Sequence, residues 1–278
     1  MTTASLRARV QDWFSWEVSR LSQKIVDNRR YEQVQANAGA AVFEKAISSE
    51  WDYRYDYLTT YSWANRFSEP FLDFGCGTGM ASHVFERMGK QVVAFDASRE
   101  MLRFAKKRCK SVPLVLADAL HLPFRDKVFS TTCVVGVLHH ILDLDGAFAE
   151  LTRCTNRVVC MNEPCPKRSV VMRMMLFGVY CVSVFRGKVM RFAERGSLER
   201  GSYHSKYERP IDPRVLVQLS EKYGFGLVQV RYFNHISLLH EFFSERFRAR
   251  LFSALISSKN GTDAEIIVAS SPVAGGKV

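Results

Sequence analysis

The sequence lacks the cysteine patterns that mark a disulfide framework or a metal centre. Its seven cysteines are an odd number, and none belongs to a C-x-x-C pair or has a histidine at zinc spacing. We therefore expect no metal and a reducing compartment, the cytoplasm. The longest apolar run, Val170–Phe185, contains Arg173 and is shorter than the ~20 residues of a membrane-spanning helix. No signal peptide is expected either, because Asp12 and Glu17 interrupt the N-terminal segment.

Acidic residues are fewer than basic ones. The chain has 39 Lys and Arg against 28 Asp and Glu, a net charge of +11, which attracts phosphates, anionic lipids or acidic small molecules without distinguishing among them. Ten Lys and Arg and only three Glu lie in 165–209, so much of the excess is local. The content of 47% hydrophobic and 24% charged residues is typical of a globular protein and excludes disorder and collagen-like repeats.

The 278 residues suffice for one large domain with an insertion. Residues 1–66 are polar and are predicted to be helical, with aromatic residues crowded toward the end. These aromatics are interpreted either as packing onto a sheet or as a lid over a ligand, and we define 1–66 as an N-terminal helical lid region. The main domain is predicted at 67–271, and 272–278 is a Gly-rich flexible tail.

From Phe71 onward, short apolar runs alternate with helical segments, a pattern typical of βαβ units. Seven such runs predict an α/β fold, a doubly wound, seven-stranded and mostly parallel sheet. The connection between the fifth and sixth runs, about 165–209, is far longer than an ordinary loop and predicts a helical cap insertion. The seven runs are FLDF, VVAFD, PLVLAD, STTCVVGV, VVCMNEP, LVQVRYF and EIIVASS.

The segment Asp73–Gly79, DFGCGTG, closes the first strand and opens a helix. Glycine lets the backbone turn sharply and lets a ligand approach the amides at the helix N-terminus. Asp96 and Asp118 end the second and third strands, so three carboxylates are expected at one edge of the sheet. Ligands of open α/β sheets bind at that edge. Helix capping is the alternative role for Asp96 and Asp118.

The loop reads G-x-G-x-G and not G-x-G-x-x-G, the pattern that accommodates a dinucleotide pyrophosphate. Asp73 directly before it would repel phosphate. Both features favour a cationic, amino-bearing ligand.

With these motifs in this order, the chain resembles the class I S-adenosylmethionine-dependent methyltransferases, in their small-molecule (methyltransferase type 11-like) group. The resemblance is strong over about 69–140 and loose to Ser271. It implies a Rossmann-like methyltransferase fold and S-adenosyl-L-methionine as cofactor. The motifs that carry it are LDFGCGTG, VVAFDAS, LADALHLPF and FSTTCVVGVLHHI.

The resemblance also implies roles for individual residues. The glycine loop would cradle the methionine part, Asp73 would face its amino group, and Asp96 would hold the ribose hydroxyls. Asp118 would bind the adenine amino group, and the turn after the fourth strand would meet the reacting end. The full set of implied cofactor-binding residues is Asp73, Gly75, Cys76, Gly77, Asp96, Ala97, Met101, Asp118, Ala119, Val135 and Gly136.

Methyl transfer from a sulfonium needs alignment and, for a protonated acceptor, a base. Three residues after the fourth and fifth strands are predicted as candidate catalytic bases, with structural packing as their alternative role: His139, His140 and Glu163. The end of the insertion supplies candidate substrate-binding residues, with a surface turn as the alternative: Tyr203, His204 and Tyr207.

We therefore expect an enzyme that methylates a small apolar or aromatic acceptor at O, N or C. The methionines of 170–185 favour a lipophilic tunnel, with a buried cap helix as the alternative, and the flanking arginines favour peripheral contact with a membrane. An RNA (tRNA) methyltransferase and a non-catalytic S-adenosylmethionine-binding subunit remain open. Cys165 is an unfavoured candidate for a nucleophile. The sequence does not predict the oligomeric state.

Overall fold

The computed structural model describes residues 36–37, 40–41, 44, 54–165, 210–233 and 263–270. The predicted tail, nearly all of the predicted cap insertion and most of the N-terminal region lie outside these ranges. In the described part of the chain, no helix is both long enough and apolar enough to cross a membrane.

Seven strands form one sheet in the order β3-β2-β1-β4-β5-β7-β6. The pairs among β1 to β5 are all parallel, and β7 lies antiparallel between β5 and β6. The predicted doubly wound, mostly parallel sheet is confirmed. The strands are β1 Phe71–Phe74, β2 Val92–Asp96, β3 Leu114–Leu116, β4 Phe129–Val135, β5 Thr155–Pro164, β6 Phe225–Phe233 and β7 Asp263–Ser270.

Helices cover the sheet between strands, and side chains define where several of them begin. Ser98, Asp143 and Asp212 accept hydrogen bonds from backbone amides in the first turns of α3, α4 and α5. Pro213 opens α5, where the first turn needs no amide donor. The helices are α1 Arg54–Arg66, α2 Met80–Arg87, α3 Arg99–Arg108, α4 Leu144–Cys154 and α5 Pro213–Lys222, with a 3-10 turn at Leu138–His140.

Two hydrophobic clusters form the core. Alternation along the strands divides β1 between them, with Phe71 in one cluster and Leu72 and Phe74 in the other. The first cluster packs α1 and α2 on the sheet, and the second packs α4 and α5 there. All four residues of β1 are buried, as expected for a central strand of a parallel sheet.

Helix α1 is the longest described segment of the predicted lid region, residues 1–66. Trp63 is fully buried in the first cluster, and its Nε1 donates to Oε1 of Glu265 on β7 at 2.9 Å. Phe67 packs in the same cluster, while Tyr61 is exposed. The two buried aromatics therefore pack onto the sheet. A lid function for residues 1–66 stays a prediction.

Candidate cofactor and methyl-transfer site

The order of strands reverses between β1 and β4, and the glycine loop lies at this switch point. Gly75, Gly77 and Gly79 have φ of +70°, +53° and +82°, values that favour glycine. A Cβ at Gly75 would lie 2.5 Å from Cγ1 of Val137 in the turn after β4. The absence of a side chain at Gly75 therefore lets the two turns pack together.

Asp73 is buried at the end of β1, and its neighbour is helix α2. Its Oδ2 accepts hydrogen bonds from the amide of Ser82 at 2.9 Å and from the hydroxyl of Ser82 at 2.5 Å. Burial raises the pKa of this carboxyl to about 6, and the bonds from Ser82 oppose that rise. The geometry therefore favours an anchor between β1 and α2 over the predicted role of facing the cofactor's amino group.

Asp96 ends β2 and contacts the glycine loop. Its Oδ2 accepts from the amide of Gly77, and its Oδ1 accepts from the amide of Ser98, both at 2.8 Å. Burial raises its pKa, whereas these bonds and the nearby His140 lower it. A carboxylate oxygen can accept more than one hydrogen bond, so Oδ1 and Oδ2 of Asp96 can each also accept one from a ribose hydroxyl.

The loop after β2 receives a contact from the N-terminal region. Oδ1 of Asn37 accepts from the hydroxyl of Ser98 at 2.6 Å and from the amide of Glu100 at 3.3 Å. Met101, predicted beside the adenine, lies in this first turn of α3, and its amide donates to the Ser98 hydroxyl at 3.1 Å. Ala97 lies between Asp96 and Ser98 in the same loop. Sequence reasoning missed Asn37, which belongs to none of the motifs.

Asp118 lies at the rim of the site after β3. Its side chain is 41% exposed, and its Oδ1 accepts from the amide of Leu120 at 3.0 Å. Its Oδ2 is 3.9 Å from Nδ1 of His121. Ala119 follows directly in the same turn. Asp118 is thus more open to solvent than the buried Asp73.

Glu163, at the end of β5, anchors the turn after β4. Its Oε1 accepts from the amides of Val137 and Leu138, both at 2.8 Å. Its Oε2 lies 2.8 Å from Nδ1 of His139 and accepts from the His139 amide at 3.3 Å. Both groups are buried. Because the carboxylate already serves three amides and an imidazole, the geometry favours anchoring over the general-base role predicted for Glu163 and His139.

His140 is the more exposed of the two histidines. Its ring packs against that of His139, with 4.0 Å between the ring centroids. His140 is also near enough to Asp96 to lower the pKa of that carboxyl. The structure therefore places this predicted base beside the proposed ribose carboxylate.

Two cysteines named in the sequence interpretation are buried. Cys76 lies within the glycine loop, and burial raises the pKa of its thiol well above the ordinary value. Its amide donates to the carbonyl of Phe95 at 2.8 Å, so it joins the loop to β2. Cys165 is 5% exposed. Tyr203, His204 and Tyr207, predicted to bind substrate, lie outside the described residues.

A group of side chains that could bind a metal ion lies between α2 and α3. His83, Glu86 and Cys109 each offer an atom within 4.8 Å of the others, although no motif predicted this. Oε1 of Glu86 accepts bonds from the amide and hydroxyl of Ser111, and Sγ of Cys109 lies 3.5 Å from the carbonyl of Gly79. Burial raises the pKa of the Cys109 thiol to about 12. We therefore interpret the cluster as packing and assign no metal there.

The turn after β4 also contacts Asn162, which the sequence interpretation missed. Val135 pairs in register with Asn162, and the amide of Gly136, whose φ is +64°, donates to the Asn162 carbonyl at 2.8 Å. Nδ2 of Asn162 donates to Oδ1 of Asp56 in the first turn of α1. The adjacent carboxylate Glu163 was the only sequence signal near this pair.

The donor set fits S-adenosylmethionine. The partly buried carboxylate of Asp96, already aligned by two amides, suits a ribose with two hydroxyls. At the left-handed Gly136 a Cβ would meet only the His139 ring, at 3.8 Å, so a ligand can approach the backbone of this turn.

Comparison with known proteins agrees with this geometry. Residues 72–157 match the family model of a methyltransferase domain. Over 92 residues, or 31% of this chain and 39% of the relative, the sequence is 42% identical to demethylmenaquinone methyltransferase of Thermobifida fusca. Over 84 residues, 30% of this chain and 33% of the relative, it is 37% identical to malonyl-[acyl-carrier protein] O-methyltransferase of Hamiltonella defensa. Each match therefore spans less than half of the relative.

Among solved structures, the fold is similar to that of magnesium protoporphyrin IX methyltransferase from Synechocystis PCC 6803 with bound SAH. The TM-score is 0.57 at 12% identity, over 88% of this chain and all of that chain. At this identity the similarity concerns the fold alone.

Proposed function

We propose, from the premise that residues 72–157 form a class I S-adenosylmethionine-dependent methyltransferase domain, that this protein transfers a methyl group to a small apolar or aromatic acceptor. The observation that carries the proposal is the contact of Asp96 with the glycine loop. The partly buried carboxylate accepts a hydrogen bond from the amide of Gly77 at 2.8 Å, beside the switch point at which α/β sheets bind nucleotides.

Each part of the site then has a task. When bound, S-adenosylmethionine supplies a methyl group on a positively charged sulfur. Asp96 accepts hydrogen bonds from the ribose hydroxyls, and Asp118 accepts one from the adenine amino group. The Ala119 amide donates a hydrogen bond to a ring nitrogen of the adenine. The glycine loop holds the methionine part, and Glu163 keeps the turn after β4 in place beside the reacting end. Alignment of the reacting atoms by such a rigid site is the main source of rate.

The acceptor class is proposed on two grounds. The apolar, methionine-containing run at 170–185 suits a lipophilic compound. One relative is named for demethylmenaquinone, an apolar aromatic compound, although another is named for malonyl-[acyl-carrier protein]. The two named acceptors differ. We therefore take a reduced naphthoquinone, the ring system of demethylmenaquinone, as the first acceptor to test.

Label transfer tests the proposal. The protein is incubated with methyl-labelled S-adenosylmethionine and cell extract separated into lipids, small metabolites and RNA. We expect label in the lipid or small-metabolite fraction. Label in RNA, with affinity for tRNA that falls steeply with salt, would instead identify an RNA methyltransferase. Tight cofactor binding without label in any fraction would indicate a binding subunit.

A further inference from the structure

Arg108, the last residue of α3, connects the glycine loop to the N-terminal region, and the roles proposed so far do not use it. Its Nε donates to the carbonyl of Thr78 at 3.2 Å. Its Nη2 donates to both carboxylate oxygens of Glu44, each at 2.7 Å. The side chains of Arg108 and Glu44 are 14% and 24% exposed, so solvent screens this ion pair less than a fully exposed one. One guanidinium therefore links a loop of the site to a residue 64 positions earlier in the chain.

The carbonyl that Arg108 binds belongs to the peptide group between Thr78 and Gly79. The N–H of the same peptide group donates to the carbonyl of Cys76 at 2.9 Å. Because a peptide group is planar, these two bonds fix the orientation of its plane. Gly77 and Gly79 have φ of +53° and +82°, and glycine has little conformational preference of its own. The contact with Arg108 therefore supplies a restraint that the loop sequence does not.

The N-terminal region contacts the loop after β2 as well. Asn37, Ala40 and Glu44 have helical backbone conformation, and their positions i, i+3 and i+7 are those that share one face of a helix. Ala40 is buried. Oδ1 of Asn37 accepts from the hydroxyl of Ser98 at 2.6 Å. Residues of one spacing pattern thus reach the loop after β2 at one end and, through Arg108, the glycine loop at the other.

The two loops are also joined directly to each other. Asp96 accepts from the amides of Gly77 and Ser98, one in each loop. The contacts of Arg108 and Asn37 restrain the same two loops from outside. A site whose loops are held before the ligand arrives loses less conformational entropy on binding, so these restraints favour cofactor affinity.

We propose that Arg108 and Glu44 are positioning residues for the methionine part of S-adenosylmethionine. Glu44 holds the guanidinium of Arg108 in place, and Arg108 fixes the peptide group after Thr78. The amides of the glycine loop then keep the orientation that receives the cofactor. The adenosine part binds elsewhere, at Asp96 and Asp118. This inference rests on the proposed function and adds two residues that lie outside all the motifs of the sequence.

Two nucleosides that differ in the amino-acid part test the inference. Isothermal calorimetry with the full chain measures the affinity for S-adenosylhomocysteine and for 5′-methylthioadenosine, in which a methyl group replaces the amino-acid chain on sulfur. Arg108→Lys keeps a cation for Glu44 but loses the planar fork that serves Glu44 and Thr78 together. Because the loop loses a hydrogen bond from a charged donor, this variant should bind S-adenosylhomocysteine at least ~5-fold more weakly. Its affinity for 5′-methylthioadenosine should change less than ~2-fold.

Glu44→Gln removes the charge that holds Arg108 and nearly keeps the shape. It should weaken S-adenosylhomocysteine binding at least ~3-fold, with the same selectivity between the two nucleosides. The double variant should bind no more than ~2-fold more weakly than Arg108→Lys alone, because both changes act through one contact. If Arg108→Lys fails to fold, Glu44→Gln alone decides the test.

Arg103→Lys is the matched control, because it makes the same exchange on the same helix. Arg103 is exposed and pairs with Glu100, so both affinities should stay as in the unmodified protein.

A merely structural role of Arg108 predicts a different pattern. The variants would then lose free energy of unfolding in urea while both affinities stayed unchanged or fell by the same factor, and either result would overturn the inference. A protein that binds S-adenosylhomocysteine but shows no selective loss retains the proposed function and loses only these positioning roles. A protein that binds neither nucleoside loses both proposals.

Discussion

The nucleotide side of the site, at the ends of β1 to β3, is held largely by contacts within successive βα units, with one longer contact from Ser98 to Asn37, 61 residues away. Asp96 binds the amides of Gly77 and Ser98, which are 19 and 2 residues away. The methyl-transfer side, at the ends of β4 and β5, is held across longer separations. Glu163 binds amides about 25 residues away, and Asp56 meets Asn162 at a separation of 106.

This difference shows that the two sides of one site can form in different ways. The nucleotide side depends mainly on contacts within successive βα units, whereas the methyl-transfer side depends on the packing of distant segments. Successive βα units bring the strand ends of the first half together automatically. In the second half, α1 packs on the sheet, where Trp63 donates a hydrogen bond to Glu265 of β7, and this packing places Asp56 against Asn162 of β5. Changes in the first half should act mainly on cofactor affinity, and changes in the second mainly on stability.

The largest expected effect belongs to the nucleotide side. Asp96→Ala should lower the affinity for S-adenosylmethionine at least ~100-fold, since two hydroxyls lose a charged acceptor. Asp118→Ala, at the exposed rim, should lower it only ~10-fold. Isothermal calorimetry on variants with unchanged circular dichroism measures both. A fall of less than threefold for Asp96→Ala would remove the ribose assignment.

The methyl-transfer side should respond with lost stability. Glu163→Ala leaves three backbone amides and His139 without their acceptor, so the free energy of unfolding should fall by about 4 kcal/mol. Urea denaturation measures this, with the exposed Glu221→Ala as a control expected to change it by less than about 0.5 kcal/mol. If Glu163→Ala unfolds like the unmodified protein yet cannot transfer methyl groups, Glu163 is a base and not an anchor.

Asp73 should make stability depend on pH. Its pKa is about 6 in the folded protein against an ordinary value of 3.8, so the folded state binds the proton more tightly. The resulting stabilisation is complete below about pH 3.8 and is lost as pH rises through 6. Relative to Asp73→Asn, the unmodified protein should therefore lose about 2 kcal/mol of stability between pH 4 and 7.

Denaturation of both proteins across that pH range checks the prediction, and repetition with S-adenosylmethionine sharpens it. If Asp73 binds only Ser82, the stability of the protein should keep most of this pH dependence when the cofactor binds. If the cofactor abolishes it, the carboxylate faces the cofactor's amino group, as the family resemblance implied.

The smallest effect tests whether the two sides are coupled. Gly75→Ala should cost about 2 kcal/mol, from a left-handed φ and from contact with Val137. Gly89→Ala has a similar φ with open space around it and should cost about 1 kcal/mol. Adding Val137→Ala to Gly75→Ala should recover part of the difference in thermal denaturation. If the two substitutions are strictly additive, the contact between the turns carries no energy.

The particular elements show how far prediction from sequence reached. FLDF and VVAFD became β1 and β2 at the expected residues, because buried parallel strands are continuous apolar runs. The carboxylates at their ends, Asp73 and Asp96, could be located for the same reason. Their partners could not: Ser82 binds Asp73 through the packing of α2 on β1, which no spacing in the sequence specifies.

The sequence by itself determined the succession of βα units, the glycine loop and the carboxylates at or just beyond the ends of the first three strands. These depend on local backbone conformation and on the period of apolar residues. Only the tertiary structure decided that Glu163 serves the turn after β4 and that Asp56 lies against Asn162. Such pairings arise when distant segments bury common apolar surface, and the position of each donor and acceptor then follows from packing.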